Sequence, residues 1–205
     1  MGYYRDRVVP RMVNIACGTS SIVPWRQRVC DGLFGEVVEV GFGTGHNVPF
    51  YPPEITKVFA IEPSDLSWRL ASTRVGASLI SIERVGLDGA SLPLADASCD
   101  SALVTFTLCT VADPARVLAE LQRILKPGGE LHFLEHGAAP NPAVARWQRI
   151  LDPIETRVAD GCHLTREPLT LVKGAGFQVT WAQQRFAKGP KPWSYFSAGS
   201  AMKPT

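Results

Sequence analysis

The sequence lacks a long apolar run and any strong excess of charge. No stretch of about 18 consecutive apolar residues occurs in the chain, so no segment is predicted to cross a membrane as a helix. The formal net charge is only +2, and the basic residues are scattered rather than clustered with aromatic residues. These absences argue against integral membrane contact and against a nucleic-acid partner.

Paired metal-binding or disulfide-forming motifs are also lacking. The five cysteines are odd in number, and none belongs to a C-x-x-C motif or to a Cys/His pair at metal-ligand spacing. We therefore expect reduced thiols. The opening residues, MGYYRDRVVPRM, carry charges where a signal peptide needs an apolar core. The expectation is a soluble, cytoplasmic protein.

The composition that is present is typical of one globular domain. Hydrophobic residues make up 45% of the chain and charged residues 20%, which are ordinary values for a folded protein. A chain of 205 residues can bury one continuous core, so a single domain is expected over residues 1–205. Residues 1–20 are polar, contain proline and show no clear periodicity. They are predicted to form a flexible lead, and whether it folds over a ligand stays open.

A glycine-rich turn after a short apolar strand is the most informative single stretch. The segment VVEVGFGTG, from Val37 to Gly45, has glycine at positions 41, 43 and 45. Glycine accepts positive φ and has no Cβ, so a nucleotide-like ligand can approach this backbone closely. Such turns also occur for purely geometric reasons, and the motif alone is weak.

Two acidic residues follow in positions that fit a nucleoside. Glu62 ends the apolar run Val58–Ile61 about 20 residues after the first glycine, which is the spacing of carboxylates that bind ribose hydroxyls. Asp88 lies in the loop GLDGASLP and can accept from an exocyclic amine. The alternatives are a solvated strand-end glutamate and a plain turn aspartate.

Alternating strand and helix signals cover most of the chain. Predicted strands near 37–40, 57–62, 79–85, 101–104 and 131–135 are separated by predicted helices, with N-caps at Ser20 or Ser21, Asp113 and Thr165. This repetition predicts a doubly wound, mostly parallel α/β sheet. The stretch from Phe177 to Ala201 reads as strand, turn and strand, which predicts a C-terminal hairpin.

Several motifs in a fixed order resemble one known family. VEVGFGTG, AIEP, the Asp88 loop, TFTLCTV and LKPGG are similar to the class I S-adenosylmethionine (SAM)-dependent methyltransferases with the small type 11 domain, over about residues 33–186. The resemblance implies a Rossmann-like, seven-stranded sheet whose last strand is antiparallel. The stretches NVPFYP, CTV, LEHGA and DGCHLTRE look like the alkyl-thiol S-methyltransferases. The chain departs from the family at Phe42, where a small residue is usual.

The resemblance also implies how SAM is bound. The glycine turn approaches the methionine part, and Glu39 helps to hold the amino group. Glu62 takes the ribose hydroxyls, whereas Asp88 and the Gly89 backbone address adenine. The implied cofactor-binding residues are Glu39, Gly41, Phe42, Gly43, Gly45, Glu62, Pro63, Asp88, Gly89, Thr105, Phe106 and Leu108.

The expected reaction transfers the methyl group to a small-molecule acceptor and demands no metal. The sulfonium methyl is already electrophilic, so the acceptor mainly has to be held in line with it. A thiol with a pKa of about 8.5 is partly ionised and needs little help, whereas a phenol needs a base. The candidate bases are His136 and His163, with Glu135 as a candidate orienting carboxylate. Histidines at such positions are more often structural.

Other functions stay open at this point. A methyltransferase that acts on a quinone, a phenol or a lipid head group shares all of these motifs. An NAD-binding oxidoreductase uses the same strand, turn and acid, but its turn is G-x-G-x-x-G and its Tyr-x-x-x-Lys pair is missing here. A protein that binds SAM without turnover is the third alternative. The identity of the acceptor and the oligomeric state are not predicted.

Overall fold

A computed structural model shows the chain as a seven-stranded sheet with helices on both faces. The structure describes residues 4–205, apart from the side chain of Arg5. The strands are β1 (Gly35–Val40), β2 (Ile55–Ile61), β3 (Ser81–Gly86), β4 (Cys99–Thr105), β5 (Leu125–His136), β6 (Gln178–Phe186) and β7 (Tyr195–Met202). They lie in the order β3-β2-β1-β4-β5-β7-β6, and β7 is antiparallel to both of its neighbours. The predicted fold class, including the antiparallel hairpin, is confirmed.

The helices cover the sheet from two sides. They are α1 (Val9–Cys17), α2 (Val23–Cys30), α3 (Asp65–Gly76), α4 (Pro114–Ile124), α5 (Pro142–Val158) and α6 (Pro168–Gly174). Alternate residues of a strand face opposite sides, so β1 contributes to two core clusters. Val38 and Val40 share one cluster with Leu118 of α4, and Val37 shares the other with Val29 of α2. A parallel sheet buried on both faces is the result.

Short polar residues fix where several helices begin. Asp113 Oδ1 accepts a hydrogen bond from Arg116 N at 3.0 Å, so Asp113 is the N-cap of α4, as its sequence predicts. Asn141 Oδ1 accepts in the same way from Ala143 N and Val144 N at the start of α5. These caps satisfy backbone N–H groups that have no partner inside the helix.

Two other predicted caps are wrong. Helix α2 begins after Ile22 without a side-chain cap, so neither Ser20 nor Ser21 is its N-cap. Helix α6 begins after Glu167, and Thr165 instead donates its hydroxyl to Asp152. In both places a proline in the first helical turn fixes φ, and it favours the start of the helix where a capping hydroxyl was predicted.

The lead predicted to be flexible is helical over residues 4–17. A π-helical turn at Tyr4–Val8 continues into α1, and residues 1–3 lie outside the described residues. Thr44 Oγ1 of the glycine turn donates to Asn14 Oδ1 at 2.7 Å, which attaches α1 to the sheet edge. Such tertiary contacts stabilise a helix whose sequence alone shows little periodicity.

The parallel strands bring the segments that carry most of the predicted site residues to one edge of the sheet. β1 pairs in parallel with β2 and β4, and β4 pairs in parallel with β5. Their carboxyl ends therefore meet, and the residues that follow them share one rim. Ligands of open α/β sheets bind at this edge.

The cap of α4 gives a test of the fold. We expect Asp113→Ala to lower the free energy of unfolding by about 1 kcal/mol, because Arg116 N loses its acceptor. Urea denaturation of both proteins measures the difference. Asp31→Ala is the control, since Asp31 forms only an exposed ion pair with Arg28 and its removal should cost at most about 0.5 kcal/mol. Equal losses would contradict the cap assignment.

Candidate active site

The glycine turn after β1 forms a side-chain-free bend at the rim. Gly41 and Gly43 have φ values of +75° and +58°, which side chains other than glycine rarely adopt. A Cβ on Gly41 would lie 2.0 Å from Thr107 Oγ1, so glycine is also required there by space. Gly45 closes the turn by donating its N–H to Phe42 O at 3.1 Å.

Glu62 lies directly beside this bend, at the end of β2. Its Oε2 accepts from Gly43 N at 2.7 Å and its Oε1 from Ser64 N at 2.7 Å. Burial raises the pKa of Glu62, and the two backbone N–H groups only partly offset that effect. An ionised carboxylate has about four acceptor sites, so two hydroxyl groups can still be accommodated. The exposed Pro63 follows it.

Glu39 lies beneath the turn in a buried polar cluster. It is 1% exposed, and its Oε1 accepts from Asn47 Nδ2 at 2.7 Å while its Oε2 accepts from the Tyr51 hydroxyl. Burial raises the pKa of Glu39 to about 7 against the effect of these bonds. Both Glu39 oxygens therefore already accept hydrogen bonds from protein side chains. A direct contact of Glu39 with the cofactor amino group stays a prediction.

Arg26 from α2 completes this cluster and was not identified from the sequence. It is 4% exposed, and Nη1 donates to Asn47 Oδ1 at 2.6 Å and to Thr105 Oγ1 at 3.3 Å. Nη2 donates to Cys17 O at 3.2 Å at the end of α1. Burial lowers the pKa of Arg26. A basic residue in a helix that precedes the first strand matches no motif, so no sequence signal could have found it.

The Asp88 loop reaches the same rim as Glu62. Glu62 N donates to Gly86 O at 3.1 Å, two residues before Asp88. A Cβ on Gly89 would lie 2.5 Å from Val40 Cγ1, so this loop lies against the carboxyl end of β1. Asp88 is exposed, and its Oδ1 accepts from Ala90 N at 2.8 Å. Glu62 and the Asp88 loop thus lie at the same edge of the sheet.

Hydrogen bonds to Glu135 fix the conformation of the turn after β4. Phe106 has a φ of +53°, which is uncommon for a residue other than glycine. Glu135 is fully buried, and it accepts hydrogen bonds from the backbone N–H groups of Thr107, Leu108 and Cys109 at 2.9 to 3.1 Å. Burial raises the pKa of Glu135 to about 7. The prediction that Glu135 orients a histidine is corrected, because the backbone uses both of its oxygens.

Two predicted cofactor residues direct their side chains into the core. Phe42 belongs to a buried cluster and packs against Trp68 with ring centroids 5.4 Å apart. Leu108 is fully buried in the main core cluster. Their contribution to the rim is the backbone. Thr105 is also buried, and its hydroxyl accepts from Asn47 Nδ2 at 3.0 Å.

His136 lies among aromatic rings and thiols at the end of β5. Its ring stacks on Phe196 at 5.4 Å, and Phe106 contacts it edge-on at 5.1 Å. Cys162 Sγ lies 3.7 Å from His136 Nδ1 and 3.7 Å from Cys109 Sγ. The hydrogen bond between the Cys162 and Cys109 thiols and the nearby His136 lower the pKa of Cys162. Burial opposes protonation of His136, but Cys162 raises its pKa overall.

His163 is bonded to a carboxylate, but that carboxylate is Asp152 and not the predicted Glu135. Its Nδ1 lies 3.0 Å from Asp152 Oδ2, and Asp152 Oδ1 accepts from Leu164 N at 2.6 Å. Against the effect of burial, the bonds from His163 and Leu164 lower the pKa of Asp152. His163 N donates to Cys109 O at 2.7 Å, so this pair is attached to the turn after β4. Asp152 precedes His163 by eleven residues, a spacing that no motif singles out.

Comparison with known proteins agrees with this geometry. A family model described as a methyltransferase domain matches residues 38–133. Thiol S-methyltransferase TMT1B of Rattus norvegicus is 37% identical over 80% of this chain and 66% of its own length. The human TMT1B is 34% identical over 82% of this chain and 69% of its own length. This chain belongs to the methyltransferase family. It spans about two thirds of the length of these relatives.

A solved structure supports the same fold for this methyltransferase. A SAM-dependent methyltransferase from Thermotoga maritima, titled a possible histamine N-methyltransferase, superposes with a TM-score of 0.70. The match covers 99% of this chain and 100% of the other, at 24% identity. At that identity the likeness concerns the fold alone.

The rim of the methyltransferase fits the cofactor that its family implies. A bend without side chains lies beside a buried carboxylate, Glu62, whose protein partners are two backbone N–H groups. A Cβ at Gly41 or Gly89 would collide with Thr107 or Val40, whereas a Cβ at Gly43 would meet only Gly41 O at 3.8 Å, so the open space of the bend lies at Gly43. Among residues 4–205, no group of three or more His, Cys, Asp and Glu side chains is arranged to hold a metal.

The raised pKa of Glu135 predicts how the stability of the methyltransferase depends on pH. A folded-state pKa of about 7, above the ordinary 4.5, stabilises the fold below about pH 4.5, and this contribution is lost as the pH rises to about 7. Glu135→Gln removes this titration. Its destabilising effect in urea denaturation should therefore be largest at acid pH and shrink towards neutral pH.

Glu130, on the same strand, provides the control. The hydrogen bond with His132 lowers the pKa of Glu130, so its stabilising contribution is present at neutral pH and lost on acidification. The cost of Glu130→Gln should accordingly grow as the pH rises. The same pH trend in both variants would contradict the assigned role of burial at Glu135.

Proposed function

We propose that this methyltransferase binds SAM and transfers its methyl group to a small thiol. The observation that carries the proposal is the convergence of the glycine bend, Glu62 and the Asp88 loop on one rim, next to the turn that Glu135 holds. The names of the two relatives, both thiol S-methyltransferases, favour a thiol as the acceptor. The proposed setting is the cytoplasm, with one domain over residues 1–205.

Different residues at the rim bind different parts of SAM in this proposal. Glu62 accepts from the ribose hydroxyls, because its two oxygens are held in place by Gly43 N and Ser64 N and are on hand at the rim. The Asp88 loop, with its Gly89 backbone, takes the adenine. The glycine bend takes the methionine part, and Arg26 and Glu39 beneath it balance charge. When bound, SAM supplies an electrophilic methyl group.

His163 is the proposed general base for an acceptor that is still protonated. A carboxylate that accepts from Nδ1 fixes the tautomer in which Nε2 carries the lone pair. Asp152 thereby keeps Nε2 available to receive a proton. His136 is less suited to this task, since its contact with Cys162 favours the charged form, which has no lone pair to offer.

Helix α1 excludes water from the rim in this proposal. Asn14 accepts from Thr44 Oγ1 at 2.7 Å, and its carbonyl lies 3.0 Å from His46 Nε2. Arg26 Nη2 ties the end of the helix at Cys17 O. A covered rim strengthens the electrostatic interactions within it and keeps water from the methyl group.

The ribose assignment predicts the effect of one substitution. Glu62→Ala should weaken SAM binding by about 100-fold or more in calorimetry, because two hydrogen bonds to a charged acceptor are lost. Asp65→Ala is the matched control, since Asp65 is an exposed acid three residues away that pairs with Arg84. Circular dichroism checks that both variants are folded. Unchanged affinity of Glu62→Ala would remove the ribose assignment.

The acceptor class and the base are tested together. Labelled SAM is offered with panels of thiols, phenols and amines, and thiols should be methylated fastest.

His163→Gln should lower kcat/KM for thiols by about 100-fold below the acceptor pKa of about 8.5, and this loss should disappear above it, where the thiol ionises unaided.

The comparison variants separate the remaining functions. Asp152→Asn should reproduce the pH-dependent loss, and His136→Gln should not. Faster methylation of phenols than of thiols would overturn the proposed acceptor in favour of a quinone or phenol methyltransferase. Binding of SAM without turnover on any panel would leave a silent SAM-binding protein, and binding of NAD instead of SAM would indicate an oxidoreductase.

A further inference from the structure

One face of α5 presents a row of apolar side chains to solvent. Trp147, Ile150, Ile154 and Val158 are 58%, 52%, 56% and 39% exposed. Their spacing of three, four and four residues places them along one line of the helix, about 16 Å long. Single exposed apolar residues are ordinary, but an aligned row of this length on one helix marks an interaction surface.

Three arginines border this row. Arg146, Arg149 and Arg157 are exposed, and within residues 4–205 none of them makes an ion pair or a side-chain hydrogen bond. On a helical projection all three lie on one side of the apolar row. We call the four apolar residues and these three arginines the α5 face.

The acids of α5 do not neutralise the α5 face. Asp152 is turned towards His163 and the turn that follows it. Glu155 Oε2 accepts from Trp193 Nε1 at 2.9 Å, so it too faces the protein. The outer side of the helix is therefore apolar and positively charged, with both carboxylates on the inner side.

The N-terminal segment extends the same surface. The Tyr4 hydroxyl donates to Val158 O at 3.0 Å, which joins this segment to the end of the apolar row. Tyr4 and Met12 are 43% and 47% exposed. Arg7 and Arg11 are exposed on these turns, against the single exposed acid Asp6. The apolar and basic character thus continues from one element to the next.

We propose that the α5 face docks the protein peripherally on an anionic lipid bilayer. An amphipathic helix with tryptophan and aliphatic residues on one side and arginines beside them lies in the plane of a bilayer, with the apolar row in the acyl boundary. The arginines then meet lipid phosphates. Within the described residues no helix is long and apolar enough to span a bilayer, so contact is limited to the surface. The inference rests on the fold and is independent of the proposed acceptor.

The arginines favour lipid over a second copy of the chain. A two-fold dimer through this surface would place the same patch on both sides of the contact. Two arginine rows would then face each other without acids to pair with. An anionic bilayer instead supplies the opposite charge to every arginine at once.

The experiment is sedimentation with vesicles of phosphatidylcholine, with and without phosphatidylglycerol. The full chain should sediment with the anionic vesicles, and binding should weaken in high salt and with phosphatidylcholine alone. Ile154→Glu should reduce binding about tenfold or more, because an apolar anchor is replaced by a charge of the wrong sign. Arg149→Gln should reduce it about fivefold.

Matched variants elsewhere on the surface make the test specific. Leu79→Glu introduces the same charge at a fully exposed leucine outside the α5 face, and Arg69→Gln removes an exposed arginine of α3; both should bind as the unmodified chain does. No sedimentation of the unmodified chain, or equal losses in Ile154→Glu and Leu79→Glu, would overturn the proposal. So would a dimer in light scattering that Ile154→Glu dissociates.

Discussion

The rim depends on one buried carboxylate. Glu135 at the end of β5 accepts three consecutive backbone N–H groups from the turn after β4, and so it joins the ends of two neighbouring strands. Those bonds hold Phe106 at positive φ and place Thr107, whose hydroxyl donates to Val40 O at the end of β1. The Thr107 hydroxyl in turn leaves room only for glycine at position 41. A buried acid without these donors would be costly, so the turn and the acid stabilise each other.

A second buried group links the helices before β1 to the same rim. Arg26 bonds to Asn47 and Thr105, and Asn47 bonds to Glu39, so a cation and an anion share one amide between them. Removing one partner from such a cluster leaves the other charge uncompensated in a poorly hydrated place. The cluster therefore fixes the position of α2, before β1, relative to the segment around Asn47, after β1. It lies beneath the glycine bend.

Local chemistry made much of this molecule predictable. Strand runs, the glycine bend, Glu62 and the Asp113 cap each carry their signal within a few residues, and the order of the motifs gave the sheet. The partners of the site residues were not predictable. Arg26 and Cys109 contact residues from distant parts of the chain only through the fold, and Asp152 precedes His163 by eleven residues in a spacing that no motif singles out. The helical state of the residues before Cys17 was missed for the same reason, since contacts with the glycine bend stabilise it.

The position of β7 has a consequence for how the protein is made. This strand comes late in the chain, yet it lies inside the sheet and pairs with both β5 and β6. During synthesis on a ribosome, β5 keeps an open edge until residues 195–202 have emerged, and β6 has no neighbour to join. The pairing of β7 with β6 is a local hairpin, whereas its pairing with β5 is non-local and therefore slow. The nascent chain thus passes through a stage with an unprotected strand edge, when molecular chaperones have the most to contribute.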